Sequence, residues 1–178
     1  HLFHDRLRQV VSRFSRERQS AAVLYIDLVN YARIKSTFGV AVAEQSLLRS
    51  VIKLRRLVRD VDTVSRVGEA RFGVIMEGVN ARAVITDRAA RLIAAGLMPL
   101  QGLKPDVILQ FHIVGALLDD HNLDAKGLAS ALGDRLQSMS PRTRRPIRFL
   151  EPERTHVIPL DEMQNLDDDP DTLPPHQT

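Results

Sequence analysis

Apolar positions along the chain follow two rhythms. Between residues 2 and 18, Leu2, Phe3, Leu7, Val10, Val11 and Phe14 recur three or four places apart, which predicts an amphipathic helix. From Ala21 the pattern changes to a compact apolar run, AAVLYIDLV, of the length expected for a buried strand. Asn30 stands where it would cap a short helix reaching Phe38, with Gly39 as its stop. Helical spacing returns at Ala43, Leu47, Leu48, Val51, Leu54 and Val58 and predicts a long helix over 40–59. Residues 62–67 and 72–76 read as strands around Gly68, a hairpin. A helix capped by Asn80 is expected to end at Gly96, and DVILQFHIVGALL, residues 106–118, predicts a long strand. A helix near 124–138 and a short strand near 146–150 complete the pattern.

The predicted order is α-β-α-α-β-β-α-β-α-β. The first strand connects through helices, the next two pair with each other, and helices are free to cover one face. This predicts an α+β domain over 1–150 with a mostly antiparallel central sheet flanked by helices. Residues 151–178, with DDDPDTLPP, are acidic and proline-rich and are expected to be a disordered tail.

Composition narrows the function classes. The chain has no cysteine, which excludes disulfides, thiolate metal sites and cysteine nucleophiles and fits a reducing cytoplasm. Aromatic residues make up 4%, too few for a nucleic-acid platform of stacked rings, so no nucleic-acid partner is expected. No apolar run reaches membrane-spanning length, so no membrane contact is expected from this segment. The first residue is His rather than Met, which suggests a piece of a longer chain with an attached sensor or effector domain. Charge divides unevenly. The tail holds eight acids and one base, leaving 24 bases against 14 acids in 1–150, a body of net charge +10. Such a body favours an anionic partner, although scattered arginines are as readily an ordinary solvated surface.

Three stretches in order carry a family resemblance. HLFHDRL, VLYIDLVNYARIKSTFG and RDVDTVSRVGEARFGV resemble, respectively, the entry segment, the Asp-Ile-Asp-His-Phe-Lys signature and the Arg-x-x-Asp…Arg-x-Gly-Gly-Asp-Glu-Phe signature of GGDEF domains, the diguanylate cyclase family. The resemblance implies a nucleotidyl-cyclase-like palm that joins two GTP molecules into cyclic di-GMP across a pair of domains. That chemistry needs carboxylates, because the hard magnesium ions that clamp a triphosphate take oxygen ligands.

Measured against that signature, the chain keeps the scaffold and loses chemistry. Asp27 matches the first metal carboxylate. Val29 replaces the second Asp, Ala32 a phosphate-binding Lys, and Lys35 and Ser36 an Asn-Asp pair whose Asn would read guanine. Glu44 stands where an Asp reads guanine. In the hairpin Gly68 and Phe72 are kept, whereas Glu69 replaces the second Gly, Ala70 the metal-binding acid and Arg71 the second acid. Asp27 is thus a remnant, no magnesium cofactor is expected, and Arg71 is expected either to pair with Asp27 or to point into solvent. Glu69 as a shifted metal ligand is disfavoured, since one step along a strand turns a side chain to the other face.

The resemblance also implies a second nucleotide site, the family's inhibitory site, marked Arg-x-x-Asp. Arg59 and Asp62 stand nine and six residues before Gly68, at the expected offset. Arg can bond guanine O6 and N7, and Asp can accept from guanine N–H groups. The pair is expected to be exposed enough to meet cyclic di-GMP, with Arg88 or Arg91 completing the site. The plainer reading makes Arg59 a cation at a helix C-terminus and Asp62 a turn residue. Arg144 matches a phosphate-binding Arg of a terminal basic segment, and Ser140 falls near that segment's Lys. His4, His112 and His121 lack metal-ligand spacing, and His112 in a strand is expected to be packed. The leading expectation is an inactive bacterial signalling domain that binds cyclic di-GMP. The alternatives are a dimerisation or docking module that binds no nucleotide, and a residual cyclase.

Overall fold

The run starting at Ala21 becomes β1 (Ala21–Leu28), in which every residue but Asp27 is buried. Its position explains this: β1 is the middle strand of a five-stranded sheet. The computed structural model describes residues 2–103 and 107–152. The other strands are β2 (Thr63–Gly68), β3 (Arg71–Glu77), β4 (Phe111–Leu117) and β5 (Ile147–Phe149), in the order β2-β3-β1-β4-β5. β1 lies antiparallel to β3 and β4, and β2 antiparallel to β3, while β5 joins β4 in parallel.

A strand's side chains alternate between faces. Ala22, Leu24, Ile26 and Leu28 face a core built with α2 (Tyr31–Phe38), α3 (Val40–Leu57) and α4 (Arg82–Gly96). Ala21, Val23 and Tyr25 face a second core built with α1 (Leu2–Glu17) and α5 (Ala125–Ser138). The helices therefore cover both faces rather than one, as an apolar run without polar alternation requires. Among the described residues no helix is long and apolar enough to cross a membrane. The expected tail lies outside the described residues except for Glu151 and Pro152.

Several local expectations are corrected. Asn30 does not cap α2: its amide accepts from Gln110 N and donates to Ile108 O, tying the end of β1 to the approach to β4. Asn80 does not cap α4, which begins two residues later without a side-chain cap. The long strand predicted from 106 starts only at Phe111, because the backbone before it bonds elsewhere: Leu109 N donates to Gly96 O at the end of α4. A short 3-10 turn, Leu118–Asp120, follows β4. Asp124 caps α5, accepting from Gly127 N at 2.7 Å. Gly39 sits at φ +93° between α2 and α3, a region costly for residues with a Cβ, so glycine suits the joint where one helix ends and the next begins.

Candidate functional site

Strand register assembles the first cluster. Asp27 on β1 lies directly opposite Arg71 on β3 and His112 on β4. Arg71 Nε donates to Asp27 Oδ1 at 2.6 Å and Nη2 donates to Oδ2 at 3.1 Å, a two-point pair with both side chains less than a third exposed. Asp27 raises the Arg71 pKa through these bonds, against a smaller opposing effect of burial. His112 is buried, as expected of a packed residue, and burial lowers its pKa. Asp27 pulls that value back up and Arg148 pushes it further down. A cavity of about 500 Å³ opens over Asp27, Gly68, Glu69, Ala70, Arg71 and His112.

The residues here do not fit a magnesium pair. Both oxygens of Asp27 are engaged by Arg71. The Ala70 methyl packs against the α2–α4 core, and its carbonyl accepts from Leu28 N at 2.9 Å. Glu69 is exposed on the two-residue turn between Gly68 and Arg71, and its carbonyl accepts from Arg66. Phe72 is fully buried and serves the core. Lys35, Ser36, Glu44 and Arg144 are exposed, and the Ser140 hydroxyl accepts from Arg142 N in a local turn.

The second cluster forms where α3 ends. The helix stops at Leu57, two residues before Arg59, and the chain turns back with Asp62 N bonded to Arg59 O at 2.9 Å. Asp62 Oδ2 accepts from Arg59 N at 2.9 Å and Oδ1 accepts from Arg59 Nη2 at 3.0 Å and from Glu77 N at 3.3 Å. The Asp62 side chain is 3% exposed, whereas that of Arg59 is 59% exposed. The expectation of an exposed pair is met by Arg59 and corrected for Asp62. Its carboxylate faces the donors of its own turn and orients Arg59.

Arg59 also donates to Glu77 O and opens onto a cavity of about 560 Å³. Arg6 and Arg13 of α1 line that cavity with it. Arg6 Nη2 donates to both Glu77 carboxylate oxygens, at 2.9 and 2.8 Å, and Arg13 stands 3.6 Å from the same carboxylate. Arg88 and Arg91 do not line this cavity; both engage Asp87 instead. The sequence reading missed Arg6 and Arg13. Their signal was the seven-residue spacing, two helical turns, which puts both on one side of α1.

A family model, the diguanylate cyclase GGDEF domain, matches residues 1–145. The chain is 27% identical over 99 residues to the diguanylate cyclase TpbB of Pseudomonas aeruginosa, covering 56% of this chain and 23% of that protein. It is 30% identical over 80 residues to the probable diguanylate cyclase DgcC of Escherichia coli, covering 45% and 22%. The chain thus spans under a quarter of the length of these curated relatives. Among solved structures, the GGDEF domain of TpbB (YfiN) from Pseudomonas aeruginosa aligns with a TM-score of 0.76 at 24% identity, over 84% of this chain and 94% of that one. The coiled coil and GGDEF domain of DgcB from Caulobacter crescentus, solved in complex with c-di-GMP, aligns with a TM-score of 0.69 at 14% identity, over 84% and 78%. Those two structural likenesses speak for the fold, and the family model adds sequence across the same elements: this chain belongs to the GGDEF domain family of diguanylate cyclases.

Proposed function

We propose that this GGDEF domain is a catalytically inactive signalling domain that binds cyclic di-GMP through Arg59, with Asp62 holding Arg59 in place. The observation that carries the first half is the Asp27–Arg71 pair, which puts a permanent cation where a metal-binding site would need open carboxylate oxygens. The second half draws on the half-exposed Arg59 guanidinium at the mouth of a cavity of about 560 Å³, with Arg13 beside it for the ligand's phosphates. A relative solved with c-di-GMP supports the choice of ligand. Ligand binding would then alter contacts with an attached domain of the longer protein or with a second copy.

Calorimetry with cyclic di-GMP tests the receptor reading. Micromolar binding is expected, lost in Arg59→Ala and weakened in Arg13→Ala. No heat from the unaltered domain would leave a nucleotide-independent docking module. Incubation with GTP and magnesium tests inactivity. No cyclic di-GMP should form, and turnover that disappears in Asp27→Ala would establish a residual cyclase instead.

A further inference from the structure

α1 and α5 do not close over the sheet between them. They leave a cleft of about 730 Å³, within the size range of small-molecule sites. Tyr25 and Val67 lie at its base. Along α5, Ala125, Ala129 and Gly133 recur every fourth residue and line it with little side-chain bulk. Gly133 matters most, since a Cβ there would stand 3.1 Å from Arg71 Nη1.

Small residues alone would make only a gap, but unpartnered donors meet in this one. Tyr25 is 5% exposed, and its hydroxyl has no hydrogen-bond partner among the described residues. Arg71 uses Nε and Nη2 on Asp27, and its Nη1 donates to no group among the described residues. The guanidinium carbon of Arg71 lies 6.0 Å from the centre of the Tyr25 ring, so both donors belong to one corner of the cleft. Lys126 adds an ammonium at the rim, exposed and in no ion pair among the described residues. Burial raises the Tyr25 pKa, against a smaller lowering by Arg71, so the hydroxyl keeps its proton and donates at neutral pH. Of the acids at the rim, Asp5 is paired with Arg8 and Asp134 is exposed to screening solvent.

We propose that the α1–α5 cleft is a binding site for a small organic anion, with its phosphate or carboxylate group against Arg71 Nη1 and the Tyr25 hydroxyl and an apolar body along Ala129 and Gly133. The site shares no residue with the cavity at Arg59. It adjoins the cavity over Asp27 through Arg71.

The chain has two tyrosines, Tyr25 here and Tyr31 in the opposite core, so carbon-13 tyrosine labelling reports on the site with an internal control. Phenyl phosphate, benzoate and the neutral benzyl alcohol serve as probes. The Tyr25 resonance should move saturably with at least one anion, far less with benzyl alcohol, while Tyr31 stays put. A response to phenyl phosphate alone or to benzoate alone identifies the preferred headgroup. Gly133→Leu should abolish the shift with the Tyr31 resonance native. Lys126→Glu, on the exposed rim, should weaken binding several-fold without disturbing the fold. Failure of Tyr25 to respond to either anion, or an equal response to benzyl alcohol, would overturn the proposal. So would a shift that survives Gly133→Leu, or an affinity unchanged by Lys126→Glu.

Discussion

Asp27 and Arg71 join two neighbouring strands through a two-point ion pair. An acid at position 71 would face Asp27 across a strand pair, and two like charges there need a cation between them. Arginine supplies that cation covalently, with two aligned bonds. Removing it should leave Asp27 unpaired at a partly buried position. Arg71→Ala is expected to cost ~1–2 kcal/mol in urea unfolding, less when combined with Asp27→Ala, because the double variant has no orphaned charge. His112 makes a pH prediction. Its folded-state pKa lies below the ordinary value of about 6.5, so below that pH the unfolded chain binds a proton that the folded one resists. This contribution to stability is whole above the ordinary value and is lost as pH falls toward the folded-state pKa. The urea midpoint should therefore drop on acidification from neutral pH, and more shallowly in His112→Gln. Asp27 and Arg148, the charges acting on His112, remain in both proteins.

Among the elements, α1 and the turn after α3 carry the sharpest constraints. α1 seats Phe3, Leu7 and Val10 in the second core, and the Phe3 ring lies over Gly73 of β3. A Cβ at Gly73 would come within 2.6 Å of that ring. Gly73→Ala is thus expected to push α1 outward and cost ~1–3 kcal/mol, read as a lower melting temperature. At the α3 turn, roles and consequences separate. Asp62 is buried and serves two backbone N–H groups as well as Arg59, so Asp62→Ala should cost ~1–3 kcal/mol and weaken cyclic di-GMP binding by freeing Arg59. Arg59→Ala should remove binding at a smaller cost in stability, since most of its side chain is in water. Melts and titrations of both variants distinguish a positioning carboxylate from a contacting one.

For the whole molecule, two apolar cores on opposite faces of one sheet leave most of the charge outside, Asp62 and Arg148 excepted, and the body's excess of bases sets its long-range field. Cyclic di-GMP affinity should fall as salt rises, with a shallower slope in Arg13→Ala. Elements marked by a local pattern of residues were legible along the chain: the apolar spacing in 2–18, the apolar run at 21–29 and the turn at Gly68. Element order and motif order carried the α+β palm, and Ala70 and Arg71 in place of the signature's two acids were plain in the letters alone. Long-range closure was not legible. That Asn30 ties to residues 108 and 110 instead of capping its helix depends on a backbone 78 residues on. Asp62 is held by its own turn and by Glu77 of β3. That Arg6 and Arg13 rather than Arg88 and Arg91 line the cavity at Arg59, and that Tyr25 opens into a cleft beside Arg71, follow from how α1 and α5 dock on the sheet. Periodicity tells which side of a helix is apolar. Which polar groups it then brings together across the molecule depends on packing between distant segments, and no single stretch of chain encodes that.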